Sequence, residues 1–158
     1  MSISSDGQLC YGIAFEGDYT FPWLNKQYSN DYEDWWINKI CGYKPLFKLY
    51  DSNGEYFDNI SKEMIRKYYD HFDNFKKSNP MPVDIISHCS FECPMYIIAA
   101  KKTYSYSIRG IPTKIRLNDM NINDAAIIDF CERYCKPKNE YEHFPEMTPT
   151  WLLSSMYG

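Results

Sequence analysis

The chain predicts an α+β fold: a mostly antiparallel sheet of five to seven strands with about three helices packed on it, in a single domain over residues 1–158. Three observations carry this reading. Apolar residues alternate with period two near the N-terminus and again beyond Pro82, capped stretches of helical period stand between and after them, and Asn53-Gly54 marks a tight hairpin.

In Leu9–Glu16, Leu9, Tyr11, Ile13 and Phe15 form a large apolar face and Cys10, Gly12 and Ala14 a small one, which lets another element approach closely. A short aromatic stretch, Tyr19–Trp23, follows and is broken by Pro22. Asn30 with Glu33 three residues on resembles a capping box, and Gly42 is a stop, so a helix is predicted over about 31–41. Its stripe is Trp36, Ile37 and Ile40, with Tyr32 and Trp35 beside it. Residues 47–51 and 55–57 flank Ser52-Asn53-Gly54, the sequence of a type I′ hairpin.

Ser61 caps a helix to about Lys77, with Ile65, Tyr68, Phe72 and Phe75 on one face and lysines opposite; Asn79-Pro80 ends it. Val83–Ser87 reads as a strand, Met95–Ala100 as a strand buried on both faces, and Thr103–Ile108 as a half-exposed one turning Tyr104, Tyr106 and Ile108 to one side. A short strand at 113–117 is expected next. Asn123 then opens a helix to about Cys135, with Ile127, Ile128, Cys131 and Tyr134 as its stripe and Pro137 as its stop. The apolar tail from Pro149 is expected to dock as an edge strand.

The net charge of −4 weighs against a protein that binds nucleic acid by neutralising phosphates. Charge is uneven, however: residues 1–60 carry 9 acidic against 4 basic side chains, and residues 61–120 carry 6 against 10. The polar start, Met1–Gln8, lacks the features of a secretion signal, and no apolar run is long enough for a membrane span. A soluble protein in a reducing cytoplasm is therefore expected, with six free cysteines.

Among chemical constellations, Cys89, Cys93, Cys131 and Cys135 form an alternative metal set. Zinc knuckles use tighter CxxC turns, and the helix stripe already accounts for Cys131 and Cys135, so no metal and no cofactor are expected. His88 and Cys89 are adjacent, and extended backbone sends neighbouring side chains to opposite faces, which argues against a nucleophile and its base. Asp31, Glu33 and Asp34 are accounted for by a helix start, where negative charge is favoured. No glycine-rich phosphate loop is present.

The feature that stands out is the aromatic load, 4 Trp, 15 Tyr and 9 Phe in 158 residues. A buried tyrosine hydroxyl needs a partner, so many tyrosines are expected at the surface. Tyr28, Asp31, Tyr32, Asp34, Trp35 and Trp36 then compose the candidate partner-binding patch, rigid amphipathic anchors with an acidic rim. The alternative ligand-binding set is Arg66, Lys67, Arg109 and Arg116, with Tyr104 and Tyr106 as stacking platforms.

Gly7-Gln8-Leu9-Cys10-Tyr11-Gly12, Phe21-Pro22-Trp23, Glu33-Asp34-Trp35-Trp36, Gly42-Tyr43-Lys44-Pro45, Asn79-Pro80-Met81-Pro82, Pro94-Met95-Tyr96-Ile97, Arg109-Gly110 and Trp151-Leu152-Leu153-Ser154-Ser155 resemble a family of small accessory proteins of tailed bacteriophages. The likeness runs nearly end to end, and departs at the Ser154–Gly158 tail where a second aromatic is expected. It implies a setting, the bacterial host cytoplasm, and no assigned mechanism. The expected function is host takeover or anti-defence by stoichiometric binding that occludes a bacterial host or defence protein, without catalysis. A nucleic-acid or nucleotide binder is one alternative. A small hydrolase or nuclease using Asp31, Asp34, Asp51 or His88 is the other, and self-association through the 103–108 strand or the tail stays open.

Overall fold

The computed structural model describes residues 5–15, 17, 19–24, 31–50, 57, 60–90, 94–108, 111, 113–116, 120, 122–137 and 143–157. In chain order the elements are β1 (Ser5–Ala14), α1 (Tyr32–Asp34, running on as a π-helical stretch Trp35–Ile40), α2 (Lys62–Ser78), β2 (Val83–Ser90), β3 (Pro94–Ala100), β4 (Ser105–Ser107), α3 (Asp124–Tyr134) and β5 (Thr150–Tyr157). The class is α+β, with one five-stranded sheet and three helices among the described residues. The chain forms two compact units, Met1–Leu24 with Pro82–Gly158, and Asn25–Met81.

In the first unit β1 is the hub of the sheet. It pairs antiparallel with β5 from Ser5↔Tyr157 to Gly12↔Thr150, with β4 at Gly7–Leu9, and with β3 at Gly12–Ala14. β2 runs antiparallel to β3, and its end meets β5 in a short parallel pairing at Cys89↔Met156 and Ser90↔Tyr157. The C-terminal strand therefore lies between β1 and β2, and the expectation of an edge position is corrected. Its register places Trp151 opposite Tyr11, where the rings meet edge to face at 5.4 Å. The expected 103–108 strand shrinks to three residues in β4, and 113–116 join no strand.

β3 comes close to β1 at Gly12. A Cβ there would lie 2.2 Å from the Ile98 carbonyl oxygen and 2.8 Å from the Ala99 Cα, so only glycine fits. The inward phase of β1 changes at the same place: Gln8 and Cys10 are buried before it, Ile13 and Phe15 after it, while Leu9 and Tyr11 are only half-buried. Beyond β1, Phe21 centres a buried aromatic cluster, stacked on Trp23 at 4.5 Å and edge-on to Phe15 at 5.0 Å and Tyr96 at 5.3 Å. Rings of this size bury much of the apolar surface available to so small a unit.

Helix α3 packs against β1, β2 and β3. The Asn123 side chain accepts from the Ala126 N–H, as its sequence position predicts. Its buried stripe is Ile127, Phe130 and Cys131, continued by Cys135, so Phe130 takes a core place that the sequence reading assigns to Ile128.

In the second unit, α2 begins at Ser61, whose hydroxyl accepts from the Met64 N–H, and ends at Asn79. Its apolar face, Ile65, Tyr68, Phe72 and Phe75, is half-buried. α1 is capped by Asp31, which accepts from the Glu33 and Asp34 N–H groups, and not by the expected Asn30, which lies outside the described residues. The backbone then widens to i→i+5 bonding, with the Cys41 N–H on the Trp36 carbonyl at 2.9 Å. Within this stretch the buried pair is Trp35 and Ile37, whereas Trp36 and Ile40 are half-buried. The expected Trp36-Ile37-Ile40 stripe is corrected accordingly. Gly42 stops the helix with φ 69°, the left-handed conformation that favours glycine. The hairpin turn at 52–54 lies outside the described residues; on its flanks the Phe57 N–H donates to the Leu49 carbonyl.

Candidate functional site

The second unit holds a cleft of about 450 Å³ whose walls are Tyr43, Tyr50, Tyr68, Tyr69 and Phe72, with Asp34 and Asn38 of the first helical segment at its side. Helix α2 supplies Tyr68, Tyr69 and Phe72, with Phe72 four and three residues beyond the two tyrosines and so on their side of the helix. The segment after Gly42 supplies Tyr43 and Tyr50.

Ring contacts and hydroxyl bonds hold these tyrosines. Tyr43 lies 5.1 Å from both Phe72 and Phe75, and its hydroxyl is 3.2 Å from His71 Nδ1. The Tyr50 and Tyr69 hydroxyls share a hydrogen bond at 3.0 Å, and the Tyr68 ring meets Tyr69 edge to face at 5.5 Å. Desolvation, with a smaller contribution from Tyr68, raises the Tyr43 phenol above its ordinary range, so that phenol stays neutral at physiological pH.

Asp34 is the cleft's carboxylate. Desolvation raises its pKa first, and repulsion from Asp31 and Glu33 adds to that, outweighing the attraction of Lys76. The Lys76 ammonium is hydrogen-bonded to Glu33. Three carboxylates at one helix start thus face a cation already engaged with one of them, leaving an excess of negative charge.

Of the six residues expected to bind a partner, the structure places Asp34 in the cleft. Asp31 is exposed as the helix cap, and Tyr32 is half-buried beside it. Trp36 is half-buried and donates its indole N–H to the Asn79 carbonyl at 3.0 Å. Trp35 is only 3% exposed, so it is a core residue and not a surface anchor. Tyr28 lies outside the described residues. The cleft's tyrosines went unassigned because they come from distant positions; the available signal was the density of tyrosine from Tyr43 to Tyr69.

The alternative basic set is divided between the units. Arg66 and Lys67, on α2, form i,i+4 ion pairs with Asp70 at 3.7 Å and Glu63 at 2.9 Å. Such exposed pairs are worth about 0–1 kcal/mol each. Tyr104 and Tyr106 belong to the first unit and are 40% and 41% exposed, so the tyrosine-rich side of β4 faces solvent. The Tyr106 hydroxyl donates to Asp6, which raises its pKa. Arg116 is exposed, and Arg109 lies outside the described residues.

The cysteines are also dispersed in role. Cys131 and Cys135 are buried on α3, and hydrogen bonding between them, with desolvation, pushes the Cys135 thiol far up, into the inert range. Cys93 lies outside the described residues, and no group of three His, Cys, Asp or Glu that could hold a metal occurs among the described ones. Cys89 overturns the expectation that it and His88 point apart. Its φ is 74°, which breaks the strand alternation and brings Sγ to 3.3 Å from His88 Nδ1 and 3.3 Å from Met95 Sδ. Burial lowers the pKa of His88. Asp51, the remaining carboxylate of the hydrolase alternative, lies outside the described residues.

Among the described residues, no helix is long and apolar enough to cross a membrane. In comparison with known proteins, the chain matches no family model, no curated protein and no solved structure.

Proposed function

We propose that this chain is a phage-encoded host-takeover or anti-defence protein that binds a bacterial protein stoichiometrically and inhibits it by occlusion. The observation that carries the reading is the aromatic cleft with the Asp34 carboxylate at its side, on the helical segment that also holds the half-buried Tyr32 and Trp36. Aromatic side chains bring large contact area at small entropic cost, and a carboxylate rim selects a basic partner surface. One helix and its flanking segments suffice for the roughly 800 Å² that each partner contributes to a standard interface. A partner covered in this way loses access to its nucleic acid or to its own subunits.

The test is capture from bacterial lysate by the tagged protein, with and without nuclease, followed by assay of the captured protein. The reading requires one host protein retained in near-equal amount after nuclease, whose own activity falls to zero at one equivalent. Recovery of nucleic acid alone, or of a protein whose activity is unchanged at saturation, would overturn it.

A further inference from the structure

We infer that the cleft formed by Tyr43, Tyr50, Tyr68, Tyr69 and Phe72 with Asp34 is a receptor for a guanidinium group, the side chain of an arginine on the bound protein. The inference rests on the binding reading only for the source of the cation. In that reading the protein presents anchors; here it also receives one.

The chemistry follows from the walls. An aromatic ring carries negative potential on its face and attracts a cation within about 6 Å of its centroid. Four phenols and one phenyl lining one cleft multiply that attraction, and neutral tyrosines cost no counter-charge. A purely apolar guest would take the Asp34 carboxylate further out of water without pairing its charge. An anion would meet the field of Asp31, Glu33 and Asp34.

Guanidinium fits better than ammonium because it is planar, weakly hydrated and able to stack on a ring while its N–H fork engages a carboxylate. Asp34 provides that carboxylate at the side of the aromatic walls. Its pKa is raised by desolvation first and then by repulsion from Asp31 and Glu33 that exceeds the pull of Lys76, and an incoming cation at the side of the cleft relieves that repulsion. A volume of about 450 Å³ also lies in the ordinary range for sites that enclose a small ligand, roughly 300–1,000 Å³.

The experiment titrates the intact protein with N-acetyl-arginine-amide and, separately, with N-acetyl-citrulline-amide, its uncharged isostere. Tyrosine ring resonances are followed by NMR. The arginine probe should shift them saturably with a Kd of roughly 1–10 mM. The citrulline probe should bind at least about tenfold more weakly, which corresponds to losing one charge-assisted contact. Asp34→Asn should weaken the arginine probe by a similar factor, and Tyr69→Leu, at an exposed wall position, should weaken it while the thermal melt stays cooperative. Equal binding of the two probes, an unaffected Asp34→Asn variant, or no saturable shift up to roughly ten times that concentration would overturn the assignment. The titration contains no partner, so its failure leaves the occlusion reading standing, and failure of the lysate capture leaves the titration standing.

Discussion

The Tyr19 hydroxyl donates a hydrogen bond to the carbonyl of Cys135, joining two residues 116 positions apart in the chain. The acceptor is the C-cap of α3, a carbonyl that the helix itself leaves without an intrahelical donor. A single buried phenol therefore satisfies a helix end and places its ring beside Phe15 and Phe21. Replacing Tyr19 by Phe keeps the ring contacts and strands the carbonyl. Equilibrium unfolding in urea should show a loss of about 1–2 kcal/mol, and an unchanged midpoint would mean that water replaces the hydroxyl.

Gly12→Ala is expected to be much worse than its size suggests. The added methyl would meet backbone atoms of Ile98 and Ala99, which have no rotamer with which to yield. Overpacking of this kind costs about 1–3 kcal/mol and at times more. A far lower melting temperature for Gly12→Ala, beside a nearly unchanged one for Gly7→Ala, where the nearest atom is 4.0 Å away, is the expected pattern.

Substitutions along the first helical segment should separate structure from binding. Trp35→Ala empties a buried site and is expected to destabilise by about 3–5 kcal/mol. Tyr32→Ala and Asp34→Lys, at half-buried and exposed positions, should leave the melt within about 1 kcal/mol of the parent while lowering affinity for the captured protein. Unchanged affinity in both of those variants would place the interface elsewhere.

Stability should fall on both sides of neutral pH. Burial pushes the Cys10 thiol up to about 11 from 9.0, so the folded chain holds a proton that the unfolded chain releases. That contribution is complete below pH 9 and is lost as the pH rises towards 11. His88 has the opposite sign: burial lowers it from 6.5, so its contribution is present above pH 6.5 and is lost as acid protonates the unfolded chain and then the folded one. Urea midpoints measured across this range should show a plateau between those limits. Cys10→Ala should shrink the alkaline decline without removing it, because the Cys135 thiol is raised too.

The sequence by itself determined what short-range chemistry decides. Ser61 and Asn123 cap α2 and α3 through backbone groups three residues away, Gly42 takes the left-handed stop, period-two alternation marks β2, and an uninterrupted apolar run marks β3. Each needs only neighbours in the chain. Acidic residues at the start of α1 were legible for the same reason, and with them Asp34, which lines the cleft.

The tertiary structure alone decided the rest. The π-helical stretch that holds Trp35 and the left-handed Cys89 beside His88 carry no periodic signal of their own, while the place of β5 between β1 and β2 depends on pairings distant in sequence. So does the cleft: Tyr43, Tyr50 and Tyr68 carry no common spacing, and only the packing of α2 against the preceding segments brings their rings round one carboxylate. Periodicity encodes which face of an element is buried, whereas a binding site is made where the faces of several elements leave a gap, and that gap is set by long-range packing.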